Sequence, residues 1–185
     1  MIDDYIDYFM SKIEKKFKIR DLGEAENFLG MEIKRDRNNK TLKISQSKYI
    51  TNMAKKFGLE SAKPQYTPMD HRVKLCKYVD KKELHPDNEL YRSIIGSIMY
   101  AAQLCRPDVM FTVCKLSKYL NEPTYTHMTQ AKKCLVYLYT TRNQGIRYGH
   151  KVHDIIGHNL IYGYADADYA MCPDSRKSNT GWVFM

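Results

Sequence analysis

At 185 residues the chain has room for one domain or two small ones, and 43% hydrophobic with 28% charged residues is the balance of a soluble protein that can bury a core. No apolar run approaches a membrane span, no signal-peptide pattern opens the sequence, and five cysteines without a Cys-x-x-Cys pair make reduced thiols in a cytosolic or nuclear setting the expectation. The net charge of +9 sits mostly in residues 28–160, which hold 23 Lys and Arg against 11 Asp and Glu, so the middle of the chain calls for a polyanionic partner or a lysine-rich solvated face.

In chain order, residues 3–20 read as an amphipathic helix that Asp3 or Asp4 caps, with Ile6, Phe9, Met10, Ile13 and Phe17 in one stripe and Gly23 as terminator. That stripe needs something to pack on, so residues 1–46 are expected to leave apolar surface uncovered. Residues 27–46 read as a β-hairpin. Leu29, Met31 and Ile33 alternate along one arm and Leu42 and Ile44 along the other, with Asp36-Arg37-Asn38-Asn39 supplying the turn. A helix follows from Ser47 to Phe57, bounded by Gly58. Residues 61–90, with three prolines and mixed charges, read as a linker over the surface. Helices are expected over 89–104, 107–120 and 126–142. The first must stop near Cys105, ahead of Pro107. Gly96 in its middle predicts close approach of another backbone, since glycine there costs about 1 kcal/mol against alanine. Thr124 or Thr126 suits the cap of the third. Gly145 and Gly149 bracket a short strand at 146–148, and further strands are expected at 160–165 and from Thr180 onward.

Several phrases carry a resemblance. Tyr91-Arg92, Ile95-Gly96-Ser97, Met99-Tyr100 and Arg106-Pro107-Asp108 resemble the copia-type retrotransposon Pol polyprotein, in the region after the polymerase active site. Asp21-Leu22-Gly23, Phe28-Leu29-Gly30-Met31-Glu32-Ile33, Ser45-Gln46-Ser47-Lys48-Tyr49-Ile50 and Thr67-Pro68-Met69 match that family's motifs in its order. So do Leu116-Ser117-Lys118-Tyr119, Gly163 to Tyr169 and Arg176 to Gly181. The resemblance implies an α+β chain in four parts. Residues 1–60 would be the end of a palm with a primer-grip-like hairpin and the first thumb helix, and 61–90 a linker. Residues 91–150 would be a helical thumb and connection, and 151–185 the truncated start of a ribonuclease H-like sheet.

Asp166 and Asp168 are the only paired carboxylates after a strand, and a spacing of two on extended backbone puts both on one face. Such oxygen ligands suit Mg²⁺ or Mn²⁺, and by resemblance Asp166 matches the first catalytic aspartate of ribonuclease H, with Mg²⁺ as the family's cofactor. The polymerase's Tyr-X-Asp-Asp hairpin is missing ahead of the first helix, and the other ribonuclease H carboxylates would fall after Met185. Both active sites are therefore expected to be incomplete, with a magnesium nuclease completed by a partner chain as an alternative. His150, His153 and His158 fit no common zinc spacing. Cys114 and Cys134 fall on apolar helix faces, where cysteine acts as a small hydrophobe.

The expected capacity is binding of an RNA–DNA hybrid or DNA duplex through Lys34, Arg35, Lys43, Lys48, Lys55, Lys56, Lys132 and Lys133. The polymerase or ribonuclease H portions would be further partners. A helical interaction module or a silent retroelement remnant is the competing expectation.

Overall fold

The computed structural model describes residues 2–20, 22–78, 80–149 and 163–184, with side chains from Tyr5 onward. Helix α1 spans Ile2–Glu14; strands β1 (Asn27–Phe28), β2 (Met31–Asp36) and β3 (Thr41–Ser45) follow, then helix α2 (Ser47–Lys56). Helices α3 (Asn88–Leu104), α4 (Met110–Ser117) and α5 (Tyr125–Thr140) come next, with strand β4 (Gly145–Tyr148) and a separate hairpin of β5 (Gly163–Ala167) and β6 (Thr180–Phe184). The class is α+β. One antiparallel sheet runs β1-β2-β3-β4 and the other pairs β5 with β6.

The core is helical. Ile94, Ile95, Ile98 and Ala101 of α3 meet Val113 and Leu116 of α4, Ala131, Leu135 and Leu138 of α5, and Ile50, Met53 and Ala54 of α2. Burying each large aliphatic side chain contributes about 1.5–3 kcal/mol. The Arg-Pro-Asp corner locks this core. Arg106 is 1% exposed. Its Nε and Nη2 donate to the two oxygens of Asp108 at 2.9 and 2.7 Å, and Nη2 and Nη1 donate to Oγ1 and the carbonyl of Thr141 at 2.6 and 3.1 Å. Tyr137 adds a hydroxyl to Asp108 at 2.8 Å. Burial pushes the Asp108 carboxyl up, but Arg106 and Tyr137 together hold it below its ordinary value. One side chain thus ties the α3–α4 corner to the end of α5.

Thr124 is the cap of α5, and it accepts from the His127 backbone while His127 Nδ1 accepts from the Thr124 N–H at 2.9 Å. His127 also stacks on Tyr119, with ring centroids 3.9 Å apart. Burial pulls its pKa down to about 4, so the ring is neutral at neutral pH.

Several expectations need correction. Helix α1 ends at Glu14, well short of residue 20. Phe17 continues the stripe but is 66% exposed, and helices draw most of their stability from tertiary packing. Gly23 lies beyond that end, in a separate bend with φ of 73°. Leu29 does not lie on a strand arm. Leu29 and Gly30, with φ of 48° and 73°, form the tight turn between β1 and β2, the left-handed pair that a two-residue hairpin requires. The Tyr100 hydroxyl donates to the Leu29 carbonyl at 2.6 Å, which docks this turn on α3. Gly96 meets no backbone at all, since a Cβ there would find nothing within 4 Å. Cys114 is exposed, because Thr112, Val113 and Leu116 set the buried face of α4.

The described residues of 61–90 are irregular apart from a 3₁₀ turn at Lys81–Glu83 and the first turn of α3, yet they are tied down. Leu75 is buried, its carbonyl accepts from Tyr119 at 2.8 Å, and the Asp70 N–H donates to Gln130 at 3.2 Å. By contrast α1 and the β5–β6 hairpin leave large apolar side chains open, among them Phe9 and Trp182.

Candidate nucleic-acid interface

Strand β4 completes a basic row that its sequence position hides. The register pairs Lys34 of β2 with Lys43 of β3, and Lys43 with Arg147 of β4. Directly opposed residues share a face with Cβ atoms about 5 Å apart, and like charges so placed repel. Lys43 is partly engaged, its Nζ donating to the Asn143 carbonyl at 2.9 Å, while Lys34 and Arg147 are exposed. Three cations therefore stand in line across the sheet. Asp36, two positions from Lys34 and on the same face, offsets part of this charge, since Arg147 adds to the bonds from Asn39 in holding its carboxyl below its ordinary value. An anion laid along the line would relieve the repulsion that is left.

The remaining candidates fall elsewhere. Arg35 shares the opposite face with Leu42 and Tyr148 because strand side chains alternate. Lys34, Arg35 and Lys48 also border a groove of about 420 Å³ whose walls include Glu24, Glu26 and Glu32. Carboxylates take up much of the polar capacity there, Arg37 pairing with Glu24 at 2.6 Å and the Lys48 N–H with Glu32 at 2.7 Å. Lys55 and Lys56 sit in the last turn of α2, where cations favour the helix dipole. Lys56 donates to Ser93 at 3.1 Å and lies over the Phe57 ring. Lys132 and Lys133 are half-buried on α5, and the charge of Lys133 adds to the stronger bonds from Arg72 that hold Asp70 low.

Asp166 lies exposed on β5 opposite Gly181. Both oxygens of Asp168 accept hydrogen bonds, from the Asn179 backbone at 2.5 Å and its side-chain amide at 3.0 Å, and these bonds, with the charges of Lys115 and Lys118, hold its carboxyl below its ordinary value. Among the described residues no three His, Cys, Asp or Glu side chains converge as a metal site. Asp166 and Asp168 alone do not fit a two-metal centre, and no hydrolytic step follows from them. His150, His153 and His158 lie outside the described residues. Cys134 is fully buried, and burial pushes its thiol up to about 12. Among the described residues no helix is long and apolar enough to cross a membrane.

Sequence reasoning missed Arg147, which becomes a neighbour of Lys43 only through a pairing about a hundred residues long in sequence. The available signal was Ile146, an apolar residue between Gly145 and Arg147 that matches Ile33 and Ile44 across the sheet.

Comparison with known proteins places these residues in company. A family model described as reverse transcriptase (RNA-dependent DNA polymerase) matches residues 3–71. The chain is 35% identical over 176 residues to the retrovirus-related Pol polyprotein from transposon TNT 1-94 of Nicotiana tabacum, a match covering 93% of this chain and 13% of that protein. It is 33% identical to the Pol polyprotein from transposon RE1 of Arabidopsis thaliana, over 94% of this chain and 11% of that one. An uncharacterised mitochondrial protein of Arabidopsis thaliana is 31% identical over 92% of this chain and 67% of its own length. The chain thus spans only about an eighth of the first two relatives. No solved structure matches it.

Proposed function

The chain belongs to the reverse transcriptase family of copia-type transposon Pol polyproteins, and from that premise we propose that it holds a template–primer duplex by its phosphates without itself performing catalysis. On this reading the β2–β3 hairpin is the primer-grip-like element, the helices α2 to α5 are thumb and connection, and the β5–β6 hairpin is the edge of a ribonuclease H-like sheet. The observation that carries the proposal is the row Lys34, Lys43 and Arg147. Phosphate neutralisation releases condensed counterions, so binding by such a row is sensitive to salt and indifferent to base sequence. The partner is an RNA–DNA hybrid or DNA duplex. Family chemistry would bring Mg²⁺ to the polyprotein as a whole, through carboxylates beyond Asp166.

Fluorescence polarisation with labelled duplexes over a salt series tests this. The logarithm of affinity should fall linearly with the logarithm of salt, at about 0.9 per phosphate contact on B-form DNA. Replacing Lys34, Lys43 and Arg147 together by alanine should weaken every duplex alike and reduce the slope by up to about 2.7. Asp166→Asn should leave affinity unchanged or raise it slightly. A salt-independent signal, or none at low salt, would remove the reading. The exposed stripe of α1, with Ile6 and Phe9 open and Phe17 exposed just past its end, favours a second contact with protein, for which other portions of the polyprotein are the natural partners.

A further inference from the structure

A second cluster of cations lies away from the sheet row. A cleft of about 380 Å³ opens between the 69–75 segment, the end of α4 and the loop joining β5 to β6. Its rim carries Lys74, Lys115, Lys118 and Arg176, with His71 beside them, and among the described residues no Asp or Glu side chain lines it. Its lining also includes the apolar side chains of Val73, Leu75 and Met171.

The acids closest in sequence have other partners as well. Asp174 accepts from the Tyr119 hydroxyl at 2.9 Å and from the Lys77 N–H at 2.9 Å. Asp168 accepts from Asn179 through both oxygens, and the charges of Lys115 and Lys118 add to these bonds in holding its carboxyl low. The cations fall into two pairs. Lys118 donates to the Asn179 side chain at 3.2 Å and Lys115 lies over the Phe111 ring, but neither Lys74 nor Arg176 forms an ion pair among the described residues. Lysines near the end of α4 also favour its dipole, which accounts for Lys115 and Lys118. It does not account for Lys74 and Arg176, which reach the same space from two other segments.

We propose that this cleft binds a phosphate group carried on a nucleotide, the cations taking the phosphate and the apolar lining residues taking the base. The size matches that of ordinary small-ligand pockets, and phosphate is a ligand of both the guanidinium fork and the ammonium point charge. The duplex-binding reading bears on this only through the source of the phosphate, which is either a nucleic-acid strand or a free nucleotide.

The test is calorimetric titration of the full chain with inorganic phosphate, adenosine 5′-monophosphate and a short single-stranded oligonucleotide. It uses the wild type, Lys74→Gln alone, Lys74→Gln with Arg176→Gln, and the Lys34, Lys43, Arg147 triple alanine variant, each checked for an unchanged melting temperature. Expected is millimolar or tighter binding of the nucleotide, weakened about tenfold or more in the double variant and partly in the single one, and untouched in the triple variant. Should the double variant bind the nucleotide and the oligonucleotide as the wild type does, the cleft is not the site. The same holds if wild type binds none of the three anions. Duplex binding that survives either result would leave the sheet-row reading standing. Nucleotide binding lost in the double variant, from a protein that binds no duplex, would support the cleft and remove the sheet-row reading.

Discussion

Helices α3 and α1 carry the same kind of sequence signal and end in opposite surroundings. Ile98 of α3 is 0% exposed and Phe9 of α1 is 62% exposed, although both sit in regular apolar stripes. Periodicity specifies an element and its apolar face. It says nothing of what covers that face. In α3 the covering comes from α4, α5 and α2, whereas the faces of α1 and of the β5–β6 hairpin stay open. The structure therefore divides into a buried helical body and two appendages whose large apolar side chains stay exposed.

The sharpest way to break that contrast is at the corner that closes the body. Asp108→Ala leaves the Arg106 guanidinium buried without its carboxylate, and losing one member of a buried pair costs about 3–5 kcal/mol. The lower part of that range is expected, because Asp108 is partly open to water. Urea denaturation measures it. A loss below about 1 kcal/mol would mean that Arg106 swings out to solvent and that the clasp is dispensable.

The next effect is one of pH. His127 has its pKa lowered to about 4 by burial, while in the unfolded chain it titrates near 6.5. The unfolded state then binds more protons between those values, so stability is full above about 6.5 and falls as pH drops towards 4. At 1.36 kcal/mol per pKa unit the loss approaches about 3 kcal/mol. Asp108, whose carboxyl is also held low, adds loss in the same direction at more acidic pH. His127→Gln should flatten the part of the stability profile between pH 4 and 6.5. An unchanged profile would place the acid sensitivity elsewhere.

Much of the body was legible because its signals are local. The stripe of α3, the stop before Pro107, the Thr124 cap and the turn chemistry of Asp36 and Asn39 each depend on residues a few positions apart. Asp36 accepts from both the backbone and the side chain of Asn39, at 2.9 and 2.7 Å. What sequence reading missed is non-local. The pairing of β4 with β3 joins residues about a hundred positions apart, and with it goes Arg147. The buried role of Arg106 likewise depends on Thr141 and Tyr137, which no spacing rule connects to it. Leu29 was misplaced on a strand because the Leu29-Gly30 turn requires left-handed backbone at a leucine, which local propensity disfavours. The family was legible from ordered motifs. The placement of the basic row required the sheet.

A smaller effect sharpens the boundary between packed and open faces within one helix. Gly96 lies on the exposed side of α3 with nothing within 4 Å of its would-be Cβ. Gly96→Ala should therefore raise stability by about 1 kcal/mol. If thermal melting shows this gain while duplex affinity is unchanged, the open side of α3 is plain surface. A gain in stability with weaker duplex binding would place nucleic acid against Gly96. A net loss of stability would mean that α3 bends at that point.

The smallest expected change tests whether α1 is an appendage. Phe9→Ala should alter the stability of the isolated chain by no more than about 0.5 kcal/mol, as exposed substitutions do. Leu135→Ala in the core should cost about 2–5 kcal/mol. The two variants remove side chains from equally regular stripes, so their ratio measures covering and not pattern. Self-association gives the second reading of the same pair. Phe9→Ala removes part of the open stripe that also includes Ile6 and Phe17, so it should lower any concentration-dependent association seen in sedimentation, while Leu135→Ala should raise it by exposing core. Equal destabilisation by both would mean that α1 packs on the body in solution, and the division into a self-contained body and open appendages would fall with it.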